Sequence, residues 1–78
     1  MREKKLSLIV TFHTTTAAMA MEKYCHANQV PGRLIPVPRE ITAGCGMSWK
    51  AAPEDRTLVE NAAVSAGIEP EGYYEVVV

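Results

Sequence analysis

No stretch of this sequence is apolar for the roughly 20 residues that a bilayer crossing needs. Nor is there a surplus of charge: eight Lys and Arg stand against nine Asp and Glu, for a net charge of −1. The basic residues are scattered, so the stripe expected of a nucleic-acid binder is missing. Only two cysteines occur, Cys25 and Cys45. Their spacing is not Cys-x-x-Cys, which removes the usual basis for a zinc or dithiol-redox reading. There is no Gly-x-Ser-x-Gly elbow. The carboxylates Glu40, Glu54 and Asp55 show no pairing that assigns acid and base roles, and two histidines leave little from which to build a Cys-His-Asn protease. Repeats, linkers and low-complexity segments are likewise missing, so residues 1–78 read as one domain. The charged opening Met1-Arg-Glu-Lys-Lys5 resembles the head of a signal peptide. The apolar run behind it stops at Phe12-His13-Thr14 without a small-residue cleavage site. A cytoplasmic protein is therefore expected, and a reducing compartment argues against a disulfide.

What is present is a regular alternation of element signals. Leu6, Leu8, Val10 and Phe12 alternate with Ser7, Ile9 and Thr11, the pattern of a strand with one well-buried face. Threonines 14 to 16 supply helix N-cap chemistry. Ala17, Ala18, Met21, Tyr24, Cys25 and Asn28 recur at helical spacing, which predicts a helix from Thr15 to Asn28 stopped by Pro31-Gly32. Cys25 falls on the apolar stripe of that helix and reads as core filling, as does Trp49. Residues 33–38 are extended, and Pro36, lacking an N–H, belongs at a sheet edge. Met47, Trp49 and Ala51 alternate again. Pro53-Glu54-Asp55 opens a second helix that Gly67 ends. Residues 71–78 form a last strand. The order βαββαβ predicts an α+β, ferredoxin-like sandwich. Its four-stranded antiparallel sheet has the order 4-1-3-2, with both helices on one face.

The chemistry centres on Pro36-Val-Pro-Arg-Glu-Ile-Thr-Ala-Gly-Cys-Gly46. Gly44 and Gly46 strip bulk from both sides of Cys45, which suits a thiol that another molecule must reach. In the predicted topology the connection between strands two and three shares one end of the sheet with the N-terminus of helix one. Cys45, Arg39, His13, Thr14, Thr15 and Tyr73 are expected to gather there, with Arg33 as a further source of positive charge. A helix N-terminus, an arginine or a protonated histidine lowers a thiol pKa. Such a site favours Cys45 as thiolate, as persulfide, or beside a bound anion. Cys25 lies about 15 Å down the helix at 1.5 Å per residue, too far for a disulfide with Cys45.

Several stretches together resemble a small bacterial family of selenium/sulfur carrier-like proteins. They are the strand ending Thr11-Phe12, the run Val30-Pro-Gly-Arg-Leu-Ile-Pro-Val-Pro-Arg-Glu-Ile41, Gly44-Cys-Gly46, Pro53-Glu-Asp55, Ala66-Gly-Ile68 and Glu71-Gly-Tyr73. The similarity covers nearly the whole chain. It implies that Cys45 carries sulfur or selenium as a persulfide or perselenide, with no separate cofactor and no metal. The implied partners are a cysteine-desulfurase-like or small sulfurtransferase-like protein, with neither nucleic acid nor membrane involved. Ala43 stands where the family often has serine, so no hydroxyl donor is expected there.

A second expectation belongs to a different class: a non-catalytic binding or interaction module in which Cys45 is only a loop residue. Its contact surface would be the open sheet face, assigned here to Ile9, Thr11, Lys50, Tyr73 and Val77. The small core and that face also leave room for a homodimer.

Overall fold

The computed structural model describes residues 5–41 and 46–78. Strand β1 (Leu6–Thr11) runs into helix α1 (Thr15–Ala27), followed by β2 (Arg33–Pro36) and β3 (Met47–Ala51). A 3₁₀ turn (Pro53–Asp55) then leads into α2 (Arg56–Ser65), and β4 (Gly72–Val77) closes the fold. The four strands form one sheet in the order β2-β3-β1-β4, which counted from the other edge is 4-1-3-2. Every pairing is antiparallel.

Register explains the core. Leu8 pairs with Ala51 and Val10 with Trp49, while Leu34 pairs with Trp49. Directly opposed residues share a face, so these side chains line one side of the sheet. Ala18, Met21 and Cys25 from α1 and Val59, Ala62 and Ala63 from α2 pack against them. Both helices therefore cover the same face. The other face carries Ile9 opposite Lys50, Thr11 opposite Ser48, and Ile9 opposite Tyr74.

The helix ends follow from local chemistry. Thr14 is extended and its hydroxyl accepts a hydrogen bond from the Ala17 N–H at 3.1 Å, which caps α1. At the other end the expected stop signal is not the operative one. Gln29 takes a left-handed φ of 57°, and the Val30 N–H donates to the Cys25 carbonyl at 2.9 Å. That is the long bond of a Schellman turn, closed by the residue immediately before Pro31. Gly32 has a different task, which is to lie against the Trp49 indole where no Cβ would fit. Gly67, with φ 71°, ends α2 as expected, and the Ile68 N–H donates to the Ala63 carbonyl at 2.9 Å.

One assignment on the sheet is corrected. Tyr73 pairs with Val10 and Val77 with Leu6, so both belong to the helix-covered side. Tyr74 and Val76 take their places on the face of Ile9 and Thr11, and that face is not the open one expected, because Ile9, Thr11 and Ser48 have no solvent exposure. Gly-Tyr-Tyr-Glu-Val-Val has no apolar–polar alternation from which to read a phase. The phase is set by the pairing with β1.

Candidate functional site

The last β1–β3 pair is Thr11 with Ser48. Beyond it β1 continues into His13 and the Thr14 cap, while β3 is entered from Gly46. Pro36 pairs with Met47, and one residue further the Val37 N–H donates to the Gly46 carbonyl at 3.0 Å. The base of the β2–β3 connection is thus held at the end of the sheet from which α1 departs. Gly46 is exposed with φ 79°, and a Cβ there would meet nothing within 4 Å. Its conformation, not crowding, is what calls for glycine. Gly44 and Cys45 lie outside the described residues.

His13, Thr14 and Thr15 are exposed at this end. Thr14 is engaged as the α1 cap. Arg39 and Glu40 are the exposed central residues of a turn closed by the Ile41 N–H donating to the Pro38 carbonyl at 3.0 Å. Tyr73, next to Gly72 at the start of β4, also falls at this end. Arg33 does not. It opens β2 and pairs with Lys50, three residues before Pro36, which is about 10 Å along a strand. It lines instead an open cleft of about 620 Å³ beside Cys25, His26, Pro31 and Trp49, at the C-terminal end of α1.

Sequence reasoning missed Glu71. Its N–H donates to the Thr11 carbonyl at 2.8 Å, and its carboxylate stands 3.9 Å from His13 Nδ1. The end of the sheet that the composition painted as positive therefore also carries an acid, able to pair with His13 when that imidazole is protonated. Its place beside β1 was readable only once β4 had been seated against β1. Nearby, the Arg56 guanidinium lies 5.3 Å from the centre of the Tyr73 ring and bonds Glu60 at 2.7 Å. Burial, then the Glu60 carboxylate, pushes the Tyr73 phenol up, with Arg56 opposing. Among the described residues no three His, Cys, Asp or Glu side chains gather as a metal would need. No helix there is long and apolar enough to cross a membrane.

Cys25 is a free thiol with no solvent exposure, and burial pushes its pKa from 9.0 to about 11. This is an inert thiol, since the thiolate is the reactive form. A stability consequence follows. The folded state holds Cys25 neutral, so the stabilisation is complete below pH 9 and is lost as pH rises towards 11. At about 1.4 kcal/mol per pKa unit, the wild type should lose roughly 1–3 kcal/mol relative to Cys25→Ala between pH 8 and pH 11. Urea titrations of both proteins across that range measure the difference, and a flat difference would contradict the burial.

A family model described as "Putative Se/S carrier protein-like" matches residues 7–75. The chain belongs to that family. The match takes in all four strands and both helices apart from the first residue of β1 and the last two of β4. No curated protein and no solved structure matches the chain.

Proposed function

We propose that this family member carries sulfur or selenium on Cys45, as a persulfide or perselenide, for delivery to a partner protein. The observation that carries the proposal is the family match over residues 7–75. Two features of the fold support it. Val37 and Gly46, on either side of the segment that contains Cys45, are tied at the end of the sheet where α1 begins. There the first-turn N–H groups offer partial positive charge. The other cysteine is sealed in the core, which leaves Cys45 as the thiol for exchange. The strand order and the pair of helices on one face support a ferredoxin-like assignment.

In the loading step the Cys45 thiolate attacks the outer sulfur of a donor persulfide. A new S–S bond forms at Cys45, the donor's S–S bond breaks, and the donor's inner sulfur leaves as thiolate. One sulfur atom and its proton move, and no outside oxidant is needed. A cysteine-desulfurase-like protein has the chemistry of such a donor, and a reducing cytoplasmic setting would keep both thiols free between turnovers.

The test is intact-mass analysis after incubation with a cysteine desulfurase and cysteine. Wild type and Cys25→Ser should each gain one sulfur atom, and Cys45→Ser none. Equal loading of Cys45→Ser would remove Cys45 from the role. Alkylation rate against pH adds a second readout. An apparent Cys45 pKa below about 7.5 fits a carrier, whereas an ordinary value near 8.5 fits a loop residue in an interaction module.

A further inference from the structure

The two edges of the sheet differ in kind. On one side β2 is four residues long and ends in Pro36, which has no N–H to offer. On the other, β4 runs for six residues, Gly-Tyr-Tyr-Glu-Val-Val, without a proline. Its hydrogen-bond phase can be read off its far end. Lys5 and Val78 exchange both backbone bonds, at 3.2 and 3.1 Å. Alternate residues repeat that role, and Ser7 pairs with Val76 and Ile9 with Tyr74. The backbone groups of Tyr74, Val76 and Val78 are thus spent on β1. Those of Tyr73, Glu75 and Val77 point outward from the sheet's edge. An unblocked edge strand of this length is a template for another strand.

We propose that this edge joins two copies of the chain, β4 against β4, antiparallel about a two-fold axis between the two Tyr74 residues. Charge selects the register. Bonded pairs must join outward-facing residues, so three centred registers extend along the strand. Centring on Glu75 sets two carboxylates directly opposite one another, which is destabilising. Centring on Val76 sets Glu75 against Val77, so its carboxylate gains no cation from the other copy beyond the Arg56 of its own chain. Centring on Tyr74 sets Glu75 of each copy opposite Tyr73 of the other, on the helix-covered side. The Arg56 guanidinium already stands there, 5.3 Å from the centre of the Tyr73 ring. Symmetry gives that Arg56–Glu75 approach twice. On the opposite face Tyr74 meets Tyr74 as a non-bonded pair, the closest kind of cross-strand contact, and aromatic pairs there are favourable. Val77 and Tyr74, 55% and 39% exposed in the single chain, become cross-strand neighbours of the second copy. The result is one continuous eight-stranded sheet, which suits a domain whose own core is small.

Sedimentation equilibrium of the wild type should give twice the chain mass. Glu75→Pro removes an outward N–H and no bond to β1, so it should give the single-chain mass with an unchanged far-UV circular dichroism spectrum. Glu75→Arg should also dissociate the dimer, and Arg56→Glu in the same chain should restore it. Register is read by cysteine placement in the Cys45→Ser background. Under mild oxidation Tyr74→Cys should link the two chains, because non-bonded pairs approach to about 4.5 Å between Cα atoms, and Val76→Cys should not. A wild type of single-chain mass at every concentration up to about 1 mM overturns the proposal, that being the affinity scale of a very weak complex. So does linking at Val76 in preference to Tyr74, or a dimer that survives Glu75→Pro with native circular dichroism. If Glu75→Pro fails to fold, the Tyr74→Cys and Val76→Cys comparison decides alone.

Discussion

Gly32→Ala should cost this protein most of its stability. Gly32 has φ 126°, a conformation that residues with a side chain rarely adopt, and a Cβ there would stand 2.4 Å from Trp49 Nε1 and 2.5 Å from the Lys50 carbonyl oxygen. Neither neighbour can give way cheaply. The carbonyl belongs to β3, and Trp49 is 3% exposed with its indole N–H donating to the Pro31 carbonyl at 3.3 Å. Overpacking costs about 1–3 kcal/mol and an enforced unfavourable backbone conformation about 1–3 kcal/mol more. A chain of 78 residues has only about 4–12 kcal/mol in total, at roughly 0.05–0.15 kcal/mol per residue. The contrast is Gly46→Ala, where φ is 79° and no atom lies within 4 Å, so only the backbone cost of about 1–2 kcal/mol applies. Urea unfolding of both variants measures the difference. Gly32→Ala being no worse than Gly46→Ala would mean that the chain does not pass under Trp49 as described.

Phe12→Ala is the second large loss. Phe12 has no solvent exposure and belongs to the cluster that joins both helices to the sheet. Truncating a buried phenylalanine costs about 3–5 kcal/mol. For a domain of this size that lowers the melting temperature by at least about 12 °C, taking 4–8 °C per kcal/mol. Phe12 also immediately precedes His13 and the Thr14 cap, so the loss should reach the candidate site as well as the core. In the fraction still folded, Cys45 should load sulfur more slowly than in a surface control such as Lys23→Ala. Calorimetry gives the first effect and timed intact-mass measurements the second. A shift below about 5 °C would show that Phe12 is not the joint between sheet and helices.

Much of the architecture was legible in the residues because each signal was local. The alternation of Leu6 to Phe12, the threonine cap, the helical spacing of Ala18, Met21 and Cys25, the edge position implied by Pro36 and the glycine stop at Gly67 all act within a few residues of themselves. The β2–β3 turn was marked as the place for chemistry by glycines flanking a cysteine, and Cys25 was assigned to the core by its stripe. What failed was long-range. Arg33 was grouped with the site on its charge alone, yet the register of β2 puts it at the opposite end beside Cys25 and Trp49. The faces of Tyr73 and Val77 were assigned one residue out of phase, because β4 carries no alternation. Glu71 went unnoticed because its meeting with His13 joins residues 13 and 71.

By itself the sequence determined the order of the four strands and two helices, the start of the first helix at Thr15 and the family to which residues 7–75 belong, though not the 3₁₀ turn at Pro53–Asp55. Those are consequences of propensity, capping and periodicity, which act over a turn or a strand. Only the folded chain decided which face Tyr74 takes, that Gly32 must clear an indole, that an acid sits beside His13, and which alternate residues of β4 spend their backbone groups on β1. Each of these depends on the pairing of strands far apart in the chain. A shift of one residue in that pairing moves every side chain to the opposite face, and nothing within a single strand resists it.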